Sequence, residues 1–322
     1  VSGGGAGDAG TRYEFVVPPA SAARLDVAIV AATGLSRNQA ATLIATGRVR
    51  VDGKAERAAF RPAPGAQVLI DVPPVPSRPL LAEAIPLSVA YEDDYLLVVD
   101  KAAGMVVHPA PGNWSGTLAN ALLSRGEMHL VHRLDKETSG LLVVAKSEKI
   151  QRLLQGALAA RRLKRLYAAL AWGHLASDQL TVDQPIGRDP RDRKRMAIVT
   201  TGRPARTDFA RLARYDSVDL LRAQLHTGRT HQIRVHLASV GHPVVGDDTY
   251  GGGGGRRVVA LLPHRHFLHA AWLRFSHPIT GADMDLRSPL PDDLRRSLAA
   301  VSHEDTGLED VGFYRINPDD SR

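Results

Sequence analysis

Cysteine is absent from the 322-residue sequence, which excludes disulfides, thiol catalysis and thiolate metal sites and suits a reducing compartment. Aromatic residues are scarce at 5%, so aliphatic side chains must fill most of the core, and an aromatic near a motif stands out. No apolar run reaches membrane-spanning length, and the opening VSGGGAGDAG lacks the basic start and apolar stretch of a signal peptide. A cytoplasmic chain with no membrane partner is the expectation. Lysine is rare too: of 41 basic residues, seven are Lys and 34 are Arg. Against 34 acidic residues they leave a net charge of +7, which favours a polyanionic partner. Arginine bias can also follow genome composition, so clustering is the stronger test.

The chain exceeds the usual size of one domain. Residues 1–12 are Gly-rich without hydrophobic periodicity and read as a disordered tail. Residues 13–72 form a compact pattern: an extended YEFVVP, helices over about 24–32 and 36–46 with Ser36 as N-cap, a hairpin around Val49, Val51 and the turn pair Asp52-Gly53, and a strand QVLIDV. Five prolines in residues 73–86 resist helix and sheet and mark a linker. Residues 87–292 carry strand candidates YLLVVDK, GLLVVAK, LYAALAWG, LLRAQLH and HQIRVHLA, and a helix near 149–160 where Ile150, Leu153, Leu154 and Leu158 fall at helical spacing. Strands outnumber helices without regular alternation, so the class is α+β. Residues 293–322 hold an amphipathic PLPDDLRRSLAAV helix and a polar tail. No coiled-coil pattern appears, and a monomer is expected.

The sharpest motif is His132-Arg133-Leu134-Asp135-Lys136-Glu137-Thr138-Ser139-Gly140, which feeds directly into the apolar strand 141–145. A carboxylate there sits on rigid backbone at a core edge, where positioning is tight and desolvation strengthens electrostatics. A lone loop Asp is more often a cap or a hydrated turn; the nine-residue string shifts the balance. Two further segments are Lys101-Ala102-Ala103-Gly104-Met105-Val106-Val107-His108-Pro109 and Thr227-Gly228-Arg229-Thr230-His231-Gln232-Ile233-Arg234-Val235-His236, the latter continuing to Gly246-Asp247 and Tyr250-Gly251.

In this order these motifs resemble the large-ribosomal-RNA branch of the pseudouridine synthases, over residues 13–292. Asp100 and Ala102 depart from the family's usual first motif. The resemblance implies a catalytic domain with a mixed, mainly antiparallel sheet, Asp135 as catalytic carboxylate, Arg229 paired with it, and Tyr167 as the active-site tyrosine. It implies substrate contacts from Arg133, His132, Ile233 and Leu225. Residues 24–54 resemble an S4 RNA-binding domain, placing Arg24, Arg37, Arg48 and Arg50 against phosphates. The layout looks most like the branch that modifies the helix 69 stem-loop of large-subunit ribosomal RNA, so the implied partner is structured RNA, as ribosomal RNA or its precursor particle. Transfer RNA is the alternative substrate, and a non-catalytic RNA-binding protein the alternative function.

The chemistry agrees with the inventory. Isomerising uridine breaks N1–C1′, turns the base, joins C5 to C1′ and removes the C5 proton. One carboxylate, a closed pocket and a proton acceptor suffice, with no obligatory cofactor or metal. Attack at C1′, glycal formation and addition to the base all remain open for Asp135. A nearby guanidinium fixes a carboxylate's rotamer and favours its anion, while a tyrosine can stack on an extruded base and relay a proton. A glycosidase needs two carboxylates, and no convincing second acid appears: Glu137 shares the loop, and Asp247-Asp248 lie in a turn where capping is the commoner role.

Residues 188–206 hold seven basic and two acidic residues, an exposed hairpin or loop whose Arg193, Lys194 and Arg195 are candidate RNA contacts. His264, His266 and His269 lack a partner set for a metal, His231 and His236 fall on opposite faces of an expected strand, and the glycine run at 251–255 lacks the ending of a phosphate loop and reads as a flexible surface loop.

Overall fold

The computed structural model describes residues 10–19, 22–73, 79–110, 112–251 and 264–315. The chain divides into two compact units, Val1–Pro79 and Leu80–Arg322. Nine of the residues assigned to the N-terminal tail, and residues 252–255 of the glycine run, lie outside the described residues. Thr11 and Arg12, also placed in that tail, instead open the first strand, where Thr11 pairs with Val72.

The first unit contains β1 (Thr11–Val16), α1 (Leu25–Thr33), α2 (Arg37–Ala45), β2 (Val49–Val51) and β3 (Gln67–Val72). The strands form an antiparallel sheet in the order β1-β3-β2. The Ser36 hydroxyl accepts from the Gln39 N–H while the Gln39 side chain accepts from the Ser36 N–H, the reciprocal cap its sequence called for. Leu25, Ile29, Leu43 and Ile44 from the helices meet Val49, Val51, Val68 and Ile70 from the sheet in one apolar cluster. The Asp52-Gly53 turn forms, with both residues at positive φ, but β2 takes β3 as its strand partner.

The second unit holds β4 (Ser88–Glu92), β5 (Leu96–Lys101), α3 (Leu118–Leu123), β6 (His129–Leu130), β7 (Ser139–Ala145), α4 (Glu148–Ala159) and β8 (Lys164–Trp172). It continues through β9 (Gln179–Asp183), β10 (Ile186–Arg188), β11 (Met196–Ile198), β12 (Arg206–Arg214), β13 (Val218–Leu225), α5 (Gln232–Ser239), β14 (Leu268–Ser276), β15 (Asp283–Arg287) and α6 (Asp292–Ser302). Ten strands make one mixed sheet along β4-β5-β7-β14-β8-β13-β12-β9, with β6 on β7 and β15 on β14. Among the described strand pairs only the short β7–β14 contact is parallel, so the sheet is mixed and mainly antiparallel. β10 and β11 form a separate antiparallel hairpin.

Strand period explains the layering. Leu97, Val99, Leu142 and Val144 enter one apolar layer, and their neighbours Leu96, Val98, Leu141 and Val143 enter the other. Both faces of β5 and β7 are therefore covered, which is why these strands read as unbroken apolar runs. α4, capped by Ser147, buries Ile150 and Leu154 in the second layer.

Three segments depart from the sequence reading. Residues 81–83, placed in the linker, are tied to α3: Asn120 Nδ2 donates to the Leu81 carbonyl and the Glu83 carboxylate accepts from Gly116 N–H. Residues 308–314, placed in the polar tail, send Leu308, Phe313 and Tyr314 into the main core. HQIRVHLA forms helix α5 instead of a strand. Its residues 232–237 are all buried, so apolar side chains are wanted on every face and their alternation carries no strand signal. Ile233 and Leu237 join the main core, Val235 a smaller cluster with Ile186 and Tyr250.

Candidate active site

Asp135 lies in the loop between β6 and β7, its side chain 17% exposed. Several groups fix that loop. Thr138 N–H donates to the Asp135 carbonyl at 3.1 Å. Buried Lys101 sends Nζ to the carbonyls of Ala102, Met105 and Lys136, joining the first motif to the second; burial lowers its pKa to about 8. Gly140 has φ +110, and a Cβ there would lie 2.3 Å from the Ala270 carbonyl oxygen. Only glycine lets β7 approach β14 this closely.

The histidines set aside as metal ligands brace the same loop. His266 Nε2 meets the Thr138 hydroxyl at 2.9 Å. His269 Nε2 reaches the Ser288 carbonyl, so its Nδ1 accepts from the Ser139 hydroxyl at 2.9 Å. Burial lowers both pKa values to about 4. Arg265 spans Glu137 O, Ser139 Oγ and the Asp293 carboxylate. His264 is exposed. Among the described residues, no cluster of three or more His, Cys, Asp or Glu is placed to hold a metal.

The ion partner of Asp135 is Arg234, at 3.4 Å from NH1 to Oδ2, and not the expected Arg229. Arg234 Nε and NH2 make a fork to Asp247 at 2.7 and 2.8 Å, where the carboxylate is fully buried. Helix geometry explains the substitution: Arg234 projects from the interior face of α5, whereas Arg229 precedes the helix, with Nε donating to the Pro204 carbonyl. Although burial opposes charge on both, hydrogen bonding and attraction keep the Arg234 pKa raised and the Asp247 pKa lowered. Asp247 also caps its turn, accepting from Thr249 and Tyr250 N–H.

Asp135 borders two hollows, whose linings also share Arg133, Leu225 and Arg229. One is a cleft of about 490 Å³ lined by His132, Arg133, Arg165, Leu225, His226 and Arg229 among others. The other is a recess of about 50 Å³ bounded by Leu134, Tyr167, Leu225, His231, Ile233 and Leu268. Asp135 is the only carboxylate among the residues lining either. Tyr167 is buried on β8 opposite Ala223 and Ala270; burial raises its pKa, with Arg165 opposing and Asp135 reinforcing the shift. Its hydroxyl has no hydrogen-bond partner among the described residues. His132 lines the cleft, but its Nε2 accepts from Val143 N–H at 3.3 Å, and burial takes its pKa down to about 3. It therefore pins the motif to β7 as a neutral ring.

Arg165, whose role the sequence left unread, is a buried cation with NH2 donating to the Thr227 carbonyl. Its NH1 would stand 3.1 Å from a Cβ on Gly228. Arg133 is exposed at the mouth and depresses the His108 pKa together with burial. The cleft is thus basic, with a lone acid at its inner edge. Of the proposed RNA contacts, Arg48, Arg50, Arg193 and Lys194 are exposed. Arg24 and Arg37 both engage buried Asp26. Arg195 is half-buried instead, its guanidinium 5.2 Å from the Tyr250 ring centre.

The sequence profile of the RNA pseudouridylate synthase family matches residues 95–239, and that of the S4 domain matches residues 23–68. An RNA pseudouridine synthase of Chloroflexus aurantiacus is 47% identical over 89% of this chain and 93% of its own. Ribosomal large subunit pseudouridine synthase D of Xanthomonas campestris is 40% identical over 90% of this chain and 93% of its own. The solved human RNA pseudouridylate synthase domain containing 1 superposes with a TM-score of 0.55 at 31% identity, covering 68% of this chain and 89% of that one.

Proposed function

From the premise that this chain belongs to the RNA pseudouridylate synthase family, we propose that it isomerises uridine in large-subunit ribosomal RNA, with Asp135 as the catalytic carboxylate. The observation that carries the assignment of Asp135 is its position: it borders both the basic cleft and the recess, it is the one acid among the described residues lining either, and Arg234 orients it. The cleft's arginines suit phosphates, and the recess suits an extruded base. The substrate reading is supported by relatives named ribosomal large subunit pseudouridine synthase D. Helix 69 is the favoured site within that RNA, on the S4 module and the layout of the motifs.

Cleavage of N1–C1′ leaves an electron-poor C1′ beside Asp135 and a uracil within the recess. Leu134, Ile233, Leu225 and Leu268 retain the base and limit water. After C5 bonds to C1′, the C5 proton leaves and N1 is protonated, so no atom is gained or lost. Tyr167 stays a neutral phenol, since burial raises its pKa, and passes the proton through its hydroxyl instead of acting as phenolate. Asp247 cannot serve as a second acid, being buried and forked by Arg234. That favours isomerisation over hydrolysis, which needs two acids at the sugar. Arg133 stacks on or hydrogen-bonds the strand at the vacated position, and Arg229 holds a flanking phosphate. Arg193 and Lys194 add exposed cations in the catalytic unit, and Arg48 and Arg50 offer phosphate contacts in the S4 unit.

The test is a transcript-wide pseudouridine map of ribosomal RNA from cells with and without the gene. Loss of a large-subunit site supports the reading. Unchanged ribosomal maps with a lost transfer-RNA site reassign the substrate, and release of free uracil in vitro replaces isomerisation by hydrolysis.

A further inference from the structure

We propose that His231 recognises the extruded base, donating from a fixed Nε2–H to a carbonyl oxygen of the uracil. This rests on the reading of the recess as the place of that base. His231 stands at the start of α5 with φ 57 and lines the recess with Asp135 and Tyr167. Gln232 and Thr138, on the same wall, are already engaged: the Gln232 amide bonds Arg229 N–H and the Arg206 carbonyl, and the Thr138 hydroxyl bonds His266. His231 Nε2, like the Tyr167 hydroxyl, has no hydrogen-bond partner among the described residues.

The proton's place on the ring follows from Tyr250. Its hydroxyl oxygen accepts from Met196 N–H at 3.0 Å and lies 2.8 Å from His231 Nδ1. Among the described residues, Nδ1 is the one acceptor within reach of the hydroxyl proton. Tyr250 therefore donates to Nδ1, and the His231 proton sits on Nε2. The tyrosine is itself held: its ring lies edge-on to His231, and the guanidiniums of Arg195 and Arg234 stand 5.2 and 5.1 Å from its centre. Burial, the largest influence, also lowers the His231 pKa, against Asp135 and with Arg234; Asp247 raises it and Arg133 lowers it. A neutral ring whose one donor is unengaged suits a carbonyl acceptor, and it offers nothing to an amino group placed there.

The experiment uses the full chain on a substrate RNA whose target uridine is natural, 2-thio or 4-thio, because a thiocarbonyl sulfur is a poor acceptor. His231→Asn keeps the acceptor for Tyr250, tolerates positive φ and, being shorter, leaves no donor at the Nε2 position. With the natural substrate, we expect kcat to fall about 10- to 100-fold while KM for RNA holds. His231→Gln, whose amide reaches the Nε2 position, should restore most of the loss. On the thio substrate at the accepting oxygen, the Asn penalty should shrink below about 3-fold, since the two changes remove the same bond. Tyr250→Phe leaves the stacking ring and His231 in place and should show a smaller penalty that shrinks on the same substrate. Equal penalties for both variants on all three RNAs overturn the proposal. Wild-type protein that makes no pseudouridine overturns the substrate reading beneath it.

Discussion

Replacing Arg234 by Lys separates the two arginines that compete for Asp135. Arg234 makes a two-bond fork to Asp247 at 2.7 and 2.8 Å and reaches Asp135 at 3.4 Å. A lysine ammonium is one point charge and cannot hold two carboxylates in those directions. The fork is buried: the Arg234 side chain is 7% exposed and that of Asp247 not at all. Losing part of a buried charged network should cost about 2–4 kcal/mol of stability. A carboxylate displaced by an ångström should slow the chemical step about a hundredfold, or roughly 2.7 kcal/mol. Urea unfolding gives the first quantity and single-turnover pseudouridine formation the second, at protein concentrations where the variant is folded. Arg229→Lys should leave the single-turnover rate within about tenfold of wild type and raise KM for RNA, as expected for a phosphate contact. The reasoning fails if Arg234→Lys retains near-wild-type turnover while Arg229→Lys loses two orders of magnitude.

Gly140→Ala should destabilise the catalytic unit by more than about 3 kcal/mol, because its Cβ meets the Ala270 carbonyl at 2.3 Å and its φ is +110; a melting temperature within a degree of wild type would contradict this. Tyr167→Phe should keep RNA affinity while slowing turnover by about 10²-fold or more, read by gel shift and by tritium release from C5-labelled RNA. His132, His266 and His269 have pKa values lowered to about 3, 4 and 4. Below the ordinary histidine value the unfolded chain takes up protons first, so stability falls as pH drops from about 6.5, by on the order of 2 kcal/mol per histidine at pH 5. A urea midpoint that stays level between pH 7 and pH 5 would refute that burial.

Much of this was legible from period and punctuation. The Ser36 cap, QVLIDV and the doubly buried GLLVVA strand declared themselves through local chemistry, and Asp135 through a motif whose glycine admits a close strand approach. Arg234 was hidden because α5 is buried all round: alternating apolar residues suggested a strand, and on a strand Arg234 has no reason to face Asp135. Asp247 caps its turn, as the sequence implies, but its second task, the fork from Arg234 on α5, joins residues that the local pattern does not connect. His266 and His269 follow the same rule. Their work on Thr138 and Ser139 spans more than a hundred residues of chain, a distance no spacing rule crosses.

The central claim is that Asp135 is the one carboxylate the chemistry requires, and Asp135→Asn tests it most directly. The change preserves size and leaves the Arg234–Asp247 fork in place. Incubated with large-subunit ribosomal RNA, wild-type protein should convert a uridine without change of mass, and the variant should bind that RNA with similar affinity yet form no pseudouridine. Pseudouridine formed by the variant at a rate near that of wild type would remove Asp135 from the mechanism.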